Sequence, residues 1–504
     1  MIFAPTQKDF SSLLNVLGRL SLILSAFFLG MAIVAAILGE QNPFYDFLIT
    51  ALLGASCGLV FMGVFRQEKE FSYASAFLAV ALSWLIASLL GALPLYLSGH
   101  FASFLDAFFE AMSGFATTGL SLVQDLDHLA VSLNIWRHLM MFLGGQGIII
   151  VAVAFLFKST TALGFYLGEA RDEKILPNII NTSRFIWTVS IVYFILGSSV
   201  LFFLGRFAVG LNIKAALIHS VCIFMAAFDT GGFTPQAMNI LYYHSWAWEA
   251  ATLVLMLLGA FNFNLHYFVW MKKKTEIGKN IETRSFLVSF TFLTLLLNFA
   301  LFNKSYFSFW PLYRNSLYQL VSAHTGCGFS NLPLYSLRQW PQAALLAIIL
   351  AMGLGGGVCS TTGGIKLMRL GLIFKSLQFE IKRWFYPPSL KISQKYHHLQ
   401  DFILDEKRMV WVFSIFFLYL ISYFVGSLVG VLLGYPFLPA LFESVSAAAN
   451  VGLSVGITTP SMPSLLKIVY IFQMWSGRLE FIAIGVSLLT LSSLLRHRRS
   501  EKIY

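Results

Sequence analysis

Residues 109–121 read FEAMSGFATTGLS and residues 442–454 read FESVSAAANVGLS. Aligned without gaps, Phe109, Glu110, Ser113, Gly119, Leu120 and Ser121 meet Phe442, Glu443, Ser446, Gly452, Leu453 and Ser454. Agreement of this kind between opposite ends of a chain marks an internal repeat, one supersecondary unit used more than once. Two weaker copies lie between them, FDTGGFT at 228–234 and HTGCGFS at 324–330. A turn of Gly, then Leu or Phe, then Ser or Thr therefore recurs at Gly119, Gly232, Gly328 and Gly452. Each turn closes a short segment, near 103–118, 213–230, 312–327 and 438–451.

The surroundings of these segments set their medium. Of 504 residues, 58% are hydrophobic and only 11% charged, against about a quarter charged in a soluble domain. A water-soluble fold of this size would lack the polar residues to cover its surface. Apolar runs long enough for a hydrocarbon core of about 30 Å occur near 14–38, 46–65, 72–97, 135–157, 185–204, 246–271, 286–302, 341–375, 409–434 and 464–495. The four turn segments are too short and too polar to span, so each is read as a re-entrant helix that dips in and returns. Backbone at that depth must be buried in protein or line a water-filled space. The fold class is an all-α polytopic membrane protein: two leading helices (1–70), then four helix–pore helix–helix repeats at 71–170, 171–280, 281–400 and 401–504. The first apolar run exceeds a secretory h-region and a second follows closely, which favours a retained span over a cleaved signal.

The net charge of +11 is explained by where the charges fall. Most of the 34 Lys and Arg lie in the stretches 1–20, 66–71, 158–184, 271–284, 366–408 and 496–504. Basic residues in alternate loops follow the positive-inside rule, which assigns these loops and both termini to the cytoplasm. The charge reports topology and contact with anionic headgroups of the lipid bilayer, with no nucleic acid implied. Cys57, Cys222, Cys327 and Cys359 are far apart in sequence, without the spacing of a disulfide framework or a zinc site.

Four re-entrant turns on one chain can surround a pseudo-fourfold axis. A cation entering such a lumen sheds water, and a ring of backbone carbonyls can replace the lost ligands. Turning consecutive carbonyls inward needs backbone angles that glycine adopts at little steric cost. The hydroxyls of Thr117, Thr118, Ser121, Thr230, Thr234, Thr325, Ser330 and Ser454 could add ligands or hold each loop to its helix.

With these turns in view, the chain resembles the TrkH/KtrB/HKT superfamily of potassium transporters and is most similar to its TrkH branch. The resemblance rests on SGFATTGLS, GGFT, HTGCGFS and ANVGLS in the loops, GGQGIIIVAVAFL (144–156), GGGVCSTTGGIK (355–366) and MWSGRLEF (474–481). It implies K⁺ as transported ion at a selectivity filter formed by Thr117, Thr118 and Gly119; Thr230, Gly231 and Gly232; Thr325, Gly326, Cys327 and Gly328; and Asn450, Val451 and Gly452. It also implies a homodimer in a bacterial cytoplasmic (inner) membrane, gated by a TrkA-like cytosolic nucleotide-binding subunit. Asp229 and Cys327 depart from the usual loop pattern, and these departures bear on the K⁺/Na⁺ ratio.

Gly353, Gly355, Gly356, Gly357, Gly363 and Gly364 interrupt the 341–375 run. They fit neither a dinucleotide nor a P-loop signature and read as a flexible break in a pore-lining helix; the resemblance implies a gate there, and a static packing kink is the plainer alternative. Arg478 lies deep in the last run, where a charge costs about 2.5–3.5 kcal/mol on insertion scales. The resemblance implies that it faces the pore below the filter as a gate element; the alternative is a buried ion pair with Glu480 or Glu443. Glu110 and Glu443, nine residues before their glycines, are read as anchors of the pore helices. Asp106, Asp125, Asp127 and Asp229 are read as an outer acidic funnel, Arg137 as a snorkelling side chain, and His324 as a packing residue. His397 and His398 are read as solvated, and 376–408 as a docking surface for a soluble partner or a lipid-facing loop.

A membrane enzyme would need an acid–base pair or metal cluster facing its substrate, and the sequence offers neither. That leaves a gated channel-like uptake system, or a symporter coupling H⁺ or Na⁺ to K⁺ through midplane carboxylates.

Overall fold

A computed structural model describes residues 7–65, 72–147, 165, 167, 169, 179–271, 275–302, 304–306, 308–333, 336–387 and 393–500. The basic stretch 66–71, the residues of GGQGIIIVAVAFL after Gly147, most of 158–184 and the C-terminal 501–504 lie outside the described residues.

Two long helices lead, α1 (Gln7–Leu38) and α2 (Gln41–Val64). They cross backbone to backbone: a Cβ on Gly18 would stand 2.9 Å from the Gly58 oxygen, and one on Gly58 2.8 Å from that of Gly18. Small residues at a crossing let apolar helices gain dispersion contact where burial from water offers no driving force. The pair is fixed to the first repeat by Phe28 and Phe47 against Trp136. Glu40 accepts from the amides of Val131 and Ser132 at 2.7 and 2.9 Å, at the start of the first repeat's inner helix.

Each repeat has an outer helix, a half-helix and an inner helix. The first is α3 (Tyr73–Leu97), α4 (Phe104–Phe115) and α5 (Val131–Gly145). The second is α6 (Ile179–Leu204), α7 (Ile213–Phe228), α8 (Trp246–Ala260) and α9 (Phe263–Trp270). The third is α10 (Ile281–Leu301), α11 (Phe309–His324), α12 (Gln342–Gly353) and α13 (Leu367–Arg383). The fourth is α14 (Glu406–Leu432), α15 (Phe437–Ala448), α16 (Ser464–Arg478) and α17 (Ile482–Ser500).

The inner helices differ from the single spans that the apolar runs predict. Six described helices are long and apolar enough to cross a membrane, and a seventh crossing would be the pair α8 and α9, bent by 101°. In the third repeat the helix stops at Gly353 and resumes at Leu367; in the fourth it breaks between Arg478 and Ile482, with positive φ at Glu480 and Phe481. In the first it stops at Gly145, and Gly147 has φ +79°. The cause is visible where inner helix meets half-helix. A Cβ on Gly144, Gly259 or Gly477 would stand 1.8–1.9 Å from the carbonyl oxygen of Phe115, Phe228 or Ala448. The backbones touch there, and the helix cannot continue straight past the half-helix end.

Among the described residues, two short strands stand apart from the helices. Strands β1 (Lys395–His398) and β2 (Gln400–Ile403) form an antiparallel hairpin in the connection to the last repeat. Tyr396 stacks on Phe402, and the Arg408 guanidinium bonds the Tyr396 hydroxyl and lies over the Phe402 ring.

Candidate functional site

All four half-helices end in the same way. Thr117, Thr230, Gly326 and Asn450 carry φ of 50–71°, and the following amides reach back five residues, Thr118 to Ser113, Gly231 to Ala226, Cys327 to Ser322 and Val451 to Ser446, at 2.8–3.0 Å. This is the Schellman ending, in which a left-handed residue lets the chain turn out of a helix while satisfying its last carbonyls. Two residues further on, Gly119, Gly232, Gly328 and Gly452 again have φ of 77–92°. Left-handed and ordinary residues therefore alternate through each turn, which aims successive carbonyls the same way. Each helix also presents the negative end of its dipole here.

The turns form a closed ring. A Cβ on Gly119 would lie 2.2 Å from the Gly231 oxygen, on Gly232 2.0 Å from that of Cys327, on Gly328 2.0 Å from that of Val451, and on Gly452 2.1 Å from that of Thr118. Each glycine abuts the next repeat's carbonyl, and the fourth returns to the first.

A polar scaffold holds the turns from behind. Glu110 accepts from the Ser121 hydroxyl and the Leu122 amide at 2.9 and 2.8 Å. Glu443 does the same from Ser454, Val455, Ile457 and Thr458, which matches the anchoring role expected of both. In the third repeat Gln319 takes that place, donating to Ser330 and Asn331. In the second, His138 meets the Phe233 carbonyl at 3.1 Å. The hydroxyls join in: Thr118 accepts from Asn450 at 2.9 Å, Thr230 meets Thr361 at 3.2 Å, Thr234 donates to the Gln236 carbonyl and Thr325 to the Val321 carbonyl.

Several expected placements are overturned. Arg137 does not snorkel: it is 1% exposed, its guanidinium lies 2.7 Å from Glu110, and it covers the Phe233 ring at 4.1 Å. It locks two adjacent turns together, and a charge so paired has no need of the interface. Asp106 is no part of a funnel, being buried against Lys467 at 2.5 Å. Asp229 is buried too, against Gly145, and accepts from Gln146 at 2.7 Å. Asp125 is exposed but bound to His128, which holds its carboxyl below the usual range, and Asp127 accepts the Ala237 amide. The cavity over the ring, about 190 Å³, is lined by Gly119, Gly328, Gly452, Ser330, Ser454 and Asn239 among others, with no carboxylate. His397 is not free in solvent: it bridges Asp401 at 2.7 Å and Glu276 at 3.1 Å. His324 packs on Phe286 and meets Ser289 at 2.8 Å, as expected.

The ring's other side is filled by the glycine segment 354–366, which is an ordered loop and not a kinked helix. Leu354 and Ile365 bridge in parallel; the amides of Gly355, Gly356, Gly357 and Val358 go to the Ile365 carbonyl, the Thr362 hydroxyl, the Ala260 carbonyl and the Glu282 carboxylate. Its packing leaves no room for side chains. A Cβ on Gly355 would be 1.9 Å from the Gly363 oxygen, and one on Gly363 2.4 Å from that of Ala449, at the end of the fourth half-helix; Gly364 has φ +69°.

Arg478 closes this assembly. It donates to the Thr361 carbonyl and the Gly144 carbonyl, both at 2.7 Å, and lies 3.4 Å from the Thr117 hydroxyl. The acids proposed as its partners are engaged elsewhere, Glu480 by Arg369 and Glu443 by the fourth turn. Between loop and helix break lies a cavity of about 20 Å³, lined by Cys359, Lys366, Arg478 and Glu480 among others, with room for about one water.

Sequence reasoning missed Thr361, Glu282, Lys366 and the close-packed Gly144, Gly259 and Gly477. A signal for the last three exists: LGG, LGA and SGR stand at equivalent points of three inner helices, and MGL at 352–354 is the fourth. Among the described residues no cluster of three His, Cys, Asp or Glu could hold a metal ion.

Four quasi-equivalent re-entrant turns closing one ring, on a helical membrane scaffold, define a cation-transport fold. The chain belongs to the TrkH family, described as cation transport protein, whose model matches residues 40–493. It is 34% identical over 96% of its length to an uncharacterized cation transporter of Methanocaldococcus jannaschii, covering 97% of that protein. It is 29% identical to the Trk system potassium uptake protein TrkH of Halomonas elongata, over 94% of this chain and 98% of that one. The crystal structure of the potassium transporter TrkH from Vibrio parahaemolyticus superposes with a TM-score of 0.80 at 26% identity, over 95% of this chain and 98% of that one.

Proposed function

We propose that this protein takes up K⁺ across the cytoplasmic membrane through the ring of four turns, with the repeats divided as 71–170, 171–280, 281–400 and 401–504. The observation that carries the reading is the cyclic abutment of Gly119, Gly232, Gly328 and Gly452 on the next turn's carbonyl. A ring so closed fixes its oxygens at one spacing, and a dehydrated cation is selected by the number and field of such dipoles. The names of the potassium uptake relatives agree with it. Flux of K⁺, Rb⁺, Na⁺ and Li⁺ through protein in liposomes tests it: K⁺ and Rb⁺ pass well ahead of Na⁺ and Li⁺, and the reversal potential follows the K⁺ gradient and ignores pH. A potential that moves with the pH or Na⁺ gradient would instead establish coupled symport.

Gly355, Gly356, Gly357, Gly363, Gly364 and Arg478 form the gate in this reading, and the small cavity beneath the ring belongs to its closed state. A loop held by the hydrogen bond of the Val358 amide to Glu282 and by Arg478 at the Thr361 carbonyl can be released as a unit. Arg478→Ala removes a pore-facing cation and the tether to Thr361, so K⁺ flux rises several-fold at unchanged expression. Equal or lower flux would make Arg478 a structural clamp only. The protein acts as a homodimer, with both termini in the cytoplasm of a bacterial inner membrane, where a TrkA-like nucleotide-binding subunit drives the loop.

A further inference from the structure

A third cavity, a cleft of about 220 Å³, lies between the start of α10, the flank of α13 and the hairpin. It is lined by Lys279, Arg284, Lys375 and Lys395, with His397 and a single carboxylate, Asp401. Two acids outside this lining are engaged elsewhere, Glu276 by His397 and the Leu399 amide and Glu282 by the Val358 amide. His397 donates to Asp401 and Glu276, which holds it protonated beyond its usual range, so its charge offsets part of theirs and the four Lys and Arg side chains set the sign of the cleft. Lys375 and Arg284 spend one bond each on backbone carbonyls, of Lys395 and Gly278, and ammonium and guanidinium groups retain further donors.

From this excess of donors over acceptors around a defined cavity, we propose that the cleft binds a phosphate ester. Charge-assisted bonds from several fixed cations are what such an anion needs. The favoured source is a membrane phospholipid. Beside Lys375 on α13, Phe374, Leu377 and Ile381 form an exposed apolar stripe, and Trp384 and Phe385 follow at 88% and 83% exposure, the composition of a helix end at a membrane surface. A headgroup in the cleft places acyl chains along that stripe. Occupancy would also bear on the glycine loop, because Ile281 lines the cleft while the adjacent Glu282 holds the Val358 amide at 2.6 Å. Binding itself does not depend on the transport reading.

The test is thermal stabilisation of the purified full-length protein by phosphatidylglycerol, by phosphatidylcholine and by soluble glycerol 3-phosphate. The expected result is stabilisation by phosphatidylglycerol and not by phosphatidylcholine, with the half-saturating concentration raised roughly tenfold in Lys375→Gln/Lys395→Gln. It is restored in Lys375→Arg/Lys395→Arg and unchanged in Lys214→Gln, a surface control. Stabilisation by glycerol 3-phosphate as well supports the site with a soluble ester as a further source. Equal stabilisation by both lipids, or a double Gln variant that folds and responds as the wild type does, overturns the proposal. The K⁺/Na⁺ flux ratio, read on the same samples, reports on the ring separately.

Discussion

Replacing Gly232 or Gly452 by serine is expected to lower the K⁺/Na⁺ flux ratio by about tenfold or more, equivalent to about 1.4 kcal/mol of lost discrimination. The two positions carry φ of +77° and +92°, a region that L side chains enter at a cost of roughly 1–2 kcal/mol. The larger effect is steric. The new Cβ would stand 2.0 Å from the Cys327 carbonyl or 2.1 Å from that of Thr118, so the neighbouring carbonyl must move. If the ring is the filter proposed above, displacing one of its oxygens changes the cage for every ion that passes. K⁺ flux falls while Na⁺ flux holds or rises, measured in liposomes against the wild type. Unchanged ion ratios in both variants would remove the ring from selectivity.

The second large effect is on stability. Arg137→Met leaves Glu110 buried and unpaired beneath the first turn, and breaking a buried pair in this way costs about 3–5 kcal/mol. It also removes the guanidinium from the Phe233 ring, uncoupling the first and second turns. The melting temperature of the purified protein falls steeply, and Arg137→Met/Glu110→Gln recovers much of the loss by removing the stranded charge. A single variant as stable as the wild type, or a double variant no better than the single, would show that the pair does not hold the turns.

The contrast between these residues explains what the sequence made legible. The ring glycines were visible because one physical need recurs four times, and the turns that meet it differ little: GLS, GFT, GFS, GLS. Glu110 and Glu443 were readable for the same reason. Arg137 was not, because it occurs in one repeat only and its partner is 27 residues away; an arginine beside an apolar run looks identical whether it bonds a carboxylate or reaches for water. Asp106 and Asp229 misled likewise, since burial against Lys467 and Gln146 depends on distant elements. The breaks of the inner helices escaped hydropathy, which counts apolar residues and does not see a half-helix end pressed against Gly144, Gly259 or Gly477. The glycine-rich interruption at 353–364 announced a break, but its closure on Ala260, Glu282 and Asn450 depends on where the second, third and fourth repeats meet.

In the proposed function the four turns act together on one ion. An anomalous-scattering map of crystals of this protein grown in Rb⁺ decides whether they do. The expected map has Rb⁺ peaks on the axis of the ring, shared evenly among backbone oxygens of all four turns and weakened when Na⁺ replaces Rb⁺. Peaks bound to one or two turns only, or to side chains away from the axis, would contradict it.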